Sequence, residues 1–226
     1  MTSNAGEPSG SLNISRAVVP LVSLGLIFLF WQSGHRWVAV PVVAGLLVYY
    51  FVLPRLVQAR LKRFQREAMK LLTSNRANEV PGLARSNFIL QLFGPRGPLD
   101  AQLGLAYAQV GDLARAISHL ENAIRQLPPA LQTPLRAQLA KALFLTGELE
   151  RAERIGCTVL KQGTRLPEVL AIVARSRIGL GKVDEITTAY LEEAGRLSPS
   201  REVQAMIDRG YGEFRAKKGQ AVGSEK

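Results

Sequence analysis

The 226-residue chain is 47% apolar, enough to bury a sizeable core, which excludes disorder as its overall state. Its net charge of +11 is unevenly placed: nine Lys or Arg meet two acids between Arg55 and Pro98, whereas twelve meet eleven between Asp100 and Ser200. The excess therefore points to an anionic membrane surface and not to nucleic acid, which would require a basic face interleaved with aromatics in the folded domain. Cys157 is the only cysteine, so neither an intrachain disulfide nor a cysteine-built metal cluster is possible within one chain.

Residues 1–15, with a Gly- and Ser-rich start, are expected to be a disordered leader. Residues 16–54 are predicted to form a transmembrane hairpin. Runs 17–34 and 37–54 each hold 18 residues without a charge, and they are joined through His35 and Arg36. A helix of that length reaches about 27 Å, close to the roughly 30 Å hydrocarbon core. Trp31, Trp37, Tyr49 and Tyr50 lie near the run ends, where amphipathic rings favour the headgroup level. A cleaved signal peptide, a buried core hairpin and a re-entrant loop compete with spanning. The first lacks a small-x-small cleavage site. The second needs a larger protein around it. Re-entry stays open because of Pro20 and Pro41. The Lys and Arg bias after residue 54 places the C-terminal domain, and with it the N-terminus, on the cytoplasmic side of a cell inner membrane.

Residues 55–98 are expected to hold a basic juxtamembrane helix and a degenerate first helix pair. Val57, Leu61, Phe64, Ala68 and Leu71 form one apolar stripe, while Arg55, Arg60, Lys62, Arg63, Arg66 and Lys70 are candidates for contact with anionic headgroups. The stripe fits either the bilayer surface or packing against the following helices. A second helix is predicted to start at Pro81, to carry Leu83, Phe88, Ile89, Leu92 and Phe93, and to stop at Gly94–Pro98.

The stretch Asp100–Pro128 reads DAQLGLAYAQVGDLARAISHLENAIRQLP. Leu103, Gly104, Tyr107, Gly111, Ala116 and Pro128 meet the pattern W-x2-L-G-x2-Y…A-x3-F…P, with Asp100 in place of Trp and Leu120 in place of Phe. It resembles the tetratricopeptide repeat. A second copy follows 36 positions on, with Leu139, Ala140, Leu143, Gly147, Ala152 and Leu160 in the matching places and Gly156 where a large residue is usual. A third follows 34 further on, with Leu170, Val173, Ala174, Gly181 and Ile186, with Arg177 where Tyr is expected and with a poorly matched second helix. The expected fold class is therefore all-α: a transmembrane hairpin followed by an α-solenoid of about three to four helix pairs. The repeats occupy 99–199, a capping helix 200–216 bearing Val203, Ile207, Tyr211 and Phe214, and a disordered tail 217–226.

The resemblance implies a groove lined by first helices that holds a peptide or helix from another protein. Carried onto this sequence, its contacts are Leu105, Ala108 and Gln109, then Ala137, Lys141, Phe144 and Leu145, then Ala171, Arg175 and Ile178. An aliphatic or aromatic anchor beside a carboxylate suits that lining. The implied function is a membrane-anchored scaffold or adaptor. The alternative is a structural subunit or assembly factor of a membrane complex, contacting it through Gly25, Ala39, Ala44 and Gly45 of the hairpin.

No catalytic, cofactor-binding or metal-binding residues are predicted. His35 and His119 are far apart in sequence without acids at ligand spacing, and Gly179–Val183 lacks the features of a phosphate-binding loop. An enzyme, a cofactor, a nucleic-acid partner and a small-molecule substrate are all unexpected.

Overall fold

The computed structural model describes residues 41, 44–45, 48–197 and 199–223, and these form helices and turns with no strand among them. The chain divides into two units at Arg60 and Leu61. In the first, the described residues include a π-helical turn, Val48–Val52, that runs into α1, Leu53–Thr73, and the unit boundary falls within that helix. The leader, the run 17–34 and most of 37–54 lie outside the described residues. Among those described, no helix is long and apolar enough to cross a membrane.

The second unit continues from α1 through a 3-10 turn, Ala77–Glu79, into nine further described helices. These are α2 (Val80–Ser86), α3 (Phe88–Phe93), α4 (Arg96–Val110), α5 (Leu113–Gln126), α6 (Pro129–Leu145), α7 (Leu149–Lys161), α8 (Pro167–Gly179), α9 (Glu185–Arg196) and α10 (Arg201–Gly223). α4/α5, α6/α7 and α8/α9 are helical hairpins. Each second helix of the first two also packs on the next first helix, and α10 packs on α8 and α9.

The repeat spacing of the sequence is visible in the turns. Gly111, Gly147 and Gly181 close the three first helices at φ of 90°, 82° and 80°, a region that only glycine enters without strain. The residue after each glycine donates its amide to a carbonyl five positions back: Asp112 to Tyr107 at 3.0 Å, Glu148 to Leu143 at 2.9 Å, and Lys182 to Arg177 at 2.9 Å. Asp112 and Asp184 then start α5 and α9, their carboxylates accepting from the amides of Arg115 at 3.2 Å and Thr187 at 3.0 Å.

A second repeated position sets helix separation. Gly104, Ala140 and Ala174 are all buried where the two helices of a hairpin meet. A Cβ at Gly104 would lie 2.7 Å from Leu120 Cγ, so the first hairpin closes only because that side chain is missing. Gly156, where Leu120 stands one repeat earlier, is explained by the next hairpin: a Cβ there would meet Val173 Cγ2 at 2.4 Å. The large residue has moved from α7 to α8.

The third hairpin corrects one alignment. Ile186, the expected counterpart of buried Ala116 and Ala152, is 55% exposed, and Thr187 is buried in its place. The turn after Gly181 runs through Lys182 and Val183 before Asp184 starts the helix, which advances the buried positions of α9 to Thr187, Leu191 and Ala194. Poor similarity in that helix is a change of register, not a loss of pattern.

The region before the repeats departs from the expected pair. Asn87 interrupts the predicted helix, splitting it into α2 and α3, and Phe88, Leu92 and Phe93 are exposed instead of filling a hairpin interior. α4 begins at Arg96, inside the expected stop, with Gly97 and Pro98 in its first turn, where proline costs no hydrogen bond. At the other end α10 continues to Gly223, beyond the boundary drawn at 216.

Candidate interaction face

Within the apolar stripe of α1, Val57, Phe64 and Ala68 are buried, Phe64 and Ala68 at 1% and 0% exposure, while Leu61 and Leu71 are half-buried. Arg55, Arg60, Lys62, Arg63, Arg66 and Lys70 are all exposed. Arg63 pairs with Glu67 of the same helix at 2.9 Å. At the end of α1, Asn75 adopts φ 59° and turns the chain. Gln109 Nε2 of α4 donates to the carbonyl of Leu72 at 3.0 Å and to Asn75 Oδ1 at 3.3 Å, which fixes Leu72 beside the repeats.

Leu72, Leu105, Gln109, Gln138, Lys141 and Leu145 border a hollow of about 320 Å³ across α4 and α6. Leu145 is 57% exposed at its edge. Lys141 Nζ sits 2.6 Å from Glu168 Oε1 at the start of α8, with both side chains about a third exposed. An ion pair that wet contributes little, about 0–1 kcal/mol, so the ammonium can exchange Glu168 for another carboxylate at small cost. The hollow thus offers an apolar floor, two amides and one cation.

The expected groove does not continue onto α8. Ile178 is 1% exposed, inside the core formed with Leu170, Leu191, Val203 and Ile207, so it is not a ligand contact. Arg175 lies over the ring of Phe144 at 5.0 Å and is paired with Glu213 of α10 at 2.6 Å. Lys217 Nζ donates to the carbonyls of Ile178 at 2.5 Å and Gly179 at 3.2 Å, capping the free end of α8. α10 therefore covers the third first-helix face, and Ala171, fully buried, is withdrawn with it. Of the predicted contacts, Leu105, Ala108, Gln109, Lys141 and Leu145 come together, while Ala137 is buried against Val159, Val169 and Val173. Phe144, partly buried against the core, is turned towards Arg175, and Arg175 and Ile178 are used internally. Leu72 and Gln138 were not expected. Leu72 belongs to a helix outside the repeats, so no repeat position marks it.

Arg177, at the family's Tyr position, is 14% exposed and holds the third hairpin to the second. It meets Glu153 of α7 at 2.8 Å, Asp184 at 2.5 Å and Thr187 Oγ1 at 3.0 Å, and Lys182 reaches Glu153 at 2.6 Å. In the first hairpin the same position is Tyr107, whose ring stacks on His119 at 5.5 Å while His119 Nδ1 meets Asp100 at 2.8 Å. That pair accounts for both His119 and the Asp in the Trp position. Arg151 likewise bridges Glu121 and Glu148 between the first two hairpins.

Burial pushes the Cys157 thiol up, away from the thiolate a nucleophile requires. Among the described residues, no three His, Cys, Asp or Glu gather to hold a metal ion.

These hairpins define a class: stacked two-helix repeats with glycine-closed turns and a covering final helix. The family with that repeat is matched directly. A tetratricopeptide repeat profile fits residues 107–175, from the last turn of α4 to Arg175 in α8, and together with the helix pairs it supports a tetratricopeptide repeat protein. Comparison with curated proteins gave no match.

Proposed function

We propose that the chain is a membrane-anchored scaffold that captures a protein partner on the cytoplasmic side of a cell inner membrane, with the α4–α6 hollow as the capture site. The observation that carries this is the grouping of exposed Leu145 and weakly paired Lys141 over the apolar hollow between repeats. Such a lining suits an aliphatic or aromatic side chain followed by a carboxylate that replaces Glu168. Tetratricopeptide repeats bind proteins through this layer of first helices, which supports the assignment. The anchor rests on the uncharged runs 17–34 and 37–54. It is supported by Tyr49, Tyr50 and Phe51, exposed just before Arg55, in the order of an aromatic belt followed by cytoplasmic cations.

The test is crosslinked affinity purification of the full chain from membranes, comparing it with a Lys141→Glu, Leu145→Asp double variant whose helicity and melting are checked first. A partner lost only from the variant supports the hollow. A partner retained by a folded variant removes it. Retention would favour the second reading, a complex subunit joined through its hairpin. That reading draws on Gly45, a small residue of the second uncharged run at which, among the described residues, a Cβ would meet nothing within 4 Å. Gly45→Leu should then release the partner.

A further inference from the structure

α3 is a six-residue helix, FILQLF, with its apolar side chains turned outwards: Phe88, Leu92 and Phe93 are 68%, 56% and 50% exposed. Leu90, 2% exposed, roots it in the protein with Ile89 half-buried beside it, and its main packing neighbour is the short helix α2. The polar side chains nearby bond to backbone carbonyls of α2. Asn87 Nδ2 donates to the carbonyl of Leu83 at 2.8 Å, and Gln91 Nε2 donates to that of Ala84 at 3.3 Å. What remains outside is an apolar tip with nothing of its own to hydrogen-bond, and exposed clusters of this kind mark interaction sites.

Charge identifies the occupant. The tip is bracketed by Arg85 and Arg96, both exposed, and no acid occurs from Val80 to Pro98. The two acids between Arg55 and Pro98 are already taken, Glu67 by Arg63 at 2.9 Å and Glu79 by Arg76 at 2.6 Å. Among the described residues Arg85 and Arg96 therefore have no carboxylate partner, and neither do Lys62, Arg66 and Lys70 of the same unit. The 100–200 region, by contrast, neutralises most of its cations internally, as Lys141, Arg151, Arg165, Arg177 and Lys182 do. Large exposed apolar side chains flanked in sequence by unneutralised arginines match the boundary of an anionic bilayer, where rings and aliphatic groups enter the acyl edge and guanidinium groups meet phosphate.

We infer that α3 is a lipid-inserting knob: Phe88, Leu92 and Phe93 seat in the interfacial layer of an anionic leaflet while Arg85 and Arg96 hold its phosphates. The inference extends the reading that the chain is held at a membrane. It gives the repeat unit a contact with the bilayer of its own, which would restrain how far the capture site can swing from the surface.

The experiment uses the full chain with Cys157→Ser, carrying a single thiol at Leu92→Cys labelled with an environment-sensitive fluorophore. It is reconstituted in phosphatidylcholine vesicles with or without phosphatidylglycerol and with nitroxide-bearing lipid as quencher. The expected result is a blue shift and quenching in the anionic vesicles, both lost with Arg85→Glu plus Arg96→Glu. The same label at Ile186→Cys, on equally exposed α9, should remain in water. A Leu92 label left in water on anionic vesicles overturns the proposal. So does one shielded only by crosslinking to another polypeptide or to a second copy of the chain. Flotation with neutral vesicles at high salt reports the hairpin separately. A chain that floats there with its label unquenched on anionic vesicles loses only the knob. One that fails to float yet is quenched on anionic vesicles keeps the knob and loses the anchor.

Discussion

α6 and α8 occupy the same place in successive repeats and carry matching residues 34 positions apart: Lys141 and Arg175, Phe144 and Ile178. Their fates are opposite. Lys141 is held only by a solvent-exposed pair with Glu168 and borders an open hollow, whereas Arg175 is 18% exposed, paired with Glu213 and covered by α10. Position in a repeat assigns a residue to a face of the stack. Whether that face is free for a partner depends on what the rest of the chain lays over it.

The strongest way to break this contrast is to loosen α10. Ile207→Ala empties a site that is 1% exposed between Leu170, Ile178 and Leu191, and should cost about 2–4 kcal/mol in urea denaturation. It would also raise hydrogen exchange at α8 while leaving that of α4 unchanged. If α4 and α8 loosen together, the cover is not specific to the third hairpin.

A smaller effect tests how the third hairpin is held. Arg177→Tyr restores the residue of the first hairpin but leaves Asp184 without its guanidinium and Glu153 with Lys182 alone. Replacing charged hydrogen bonds in this way should destabilise by about 1–3 kcal/mol. A neutral or stabilising result would mean that the ionic network is an accident of the surface.

The smallest effect lies in the acid limb of the stability curve. The Thr187 hydroxyl, more than the nearby Arg177, holds the Asp184 carboxyl below its ordinary value of 3.8. A carboxyl depressed on folding contributes stability that is fully present above the ordinary value and is lost as pH falls through the lower folded one. Asp184→Asn should therefore be less stable than the parent at neutral pH and lose less on acidification below that value. Because Asp184 is 44% exposed, the change will be modest, and a melting series from neutral pH to pH 3 reads it.

Much of the repeat unit was legible because its determinants are local and periodic. Gly111, Gly147 and Gly181 mark turns that need positive φ, and Gly104, Ala140 and Ala174 mark close approaches, so spacing alone locates helices and interior. What periodicity does not carry was missed. The register change that buries Thr187 instead of Ile186 comes from a longer turn, and turn length shifts every later position without altering composition. Gly156 made sense only once Val173 filled its space from the next helix. The site was less legible still. A cation in a sequence does not show whether its counter-ion comes from a ligand or from its own chain. Arg175 finds Glu213 38 residues later, and the apolar stripe of α10 indicated packing without naming its target. Phe88, Leu92 and Phe93 have the composition of a core helix, and only the break at Asn87 and the shortness of α3 turn them outwards.

The contact between Lys217 and the end of α8 also has a bearing on timing. Thirty-nine residues separate Lys217 from Ile178, so a ribosome adding about 5–20 residues per second needs roughly 2–8 seconds to pass from one to the other. During that interval the α4–α6 hollow can already be assembled while the α8 surface still lacks its lid. The nascent chain then presents two adjacent first-helix surfaces, of which the finished protein keeps one open, and a chaperone working at the exit tunnel meets a wider apolar strip than any mature partner does.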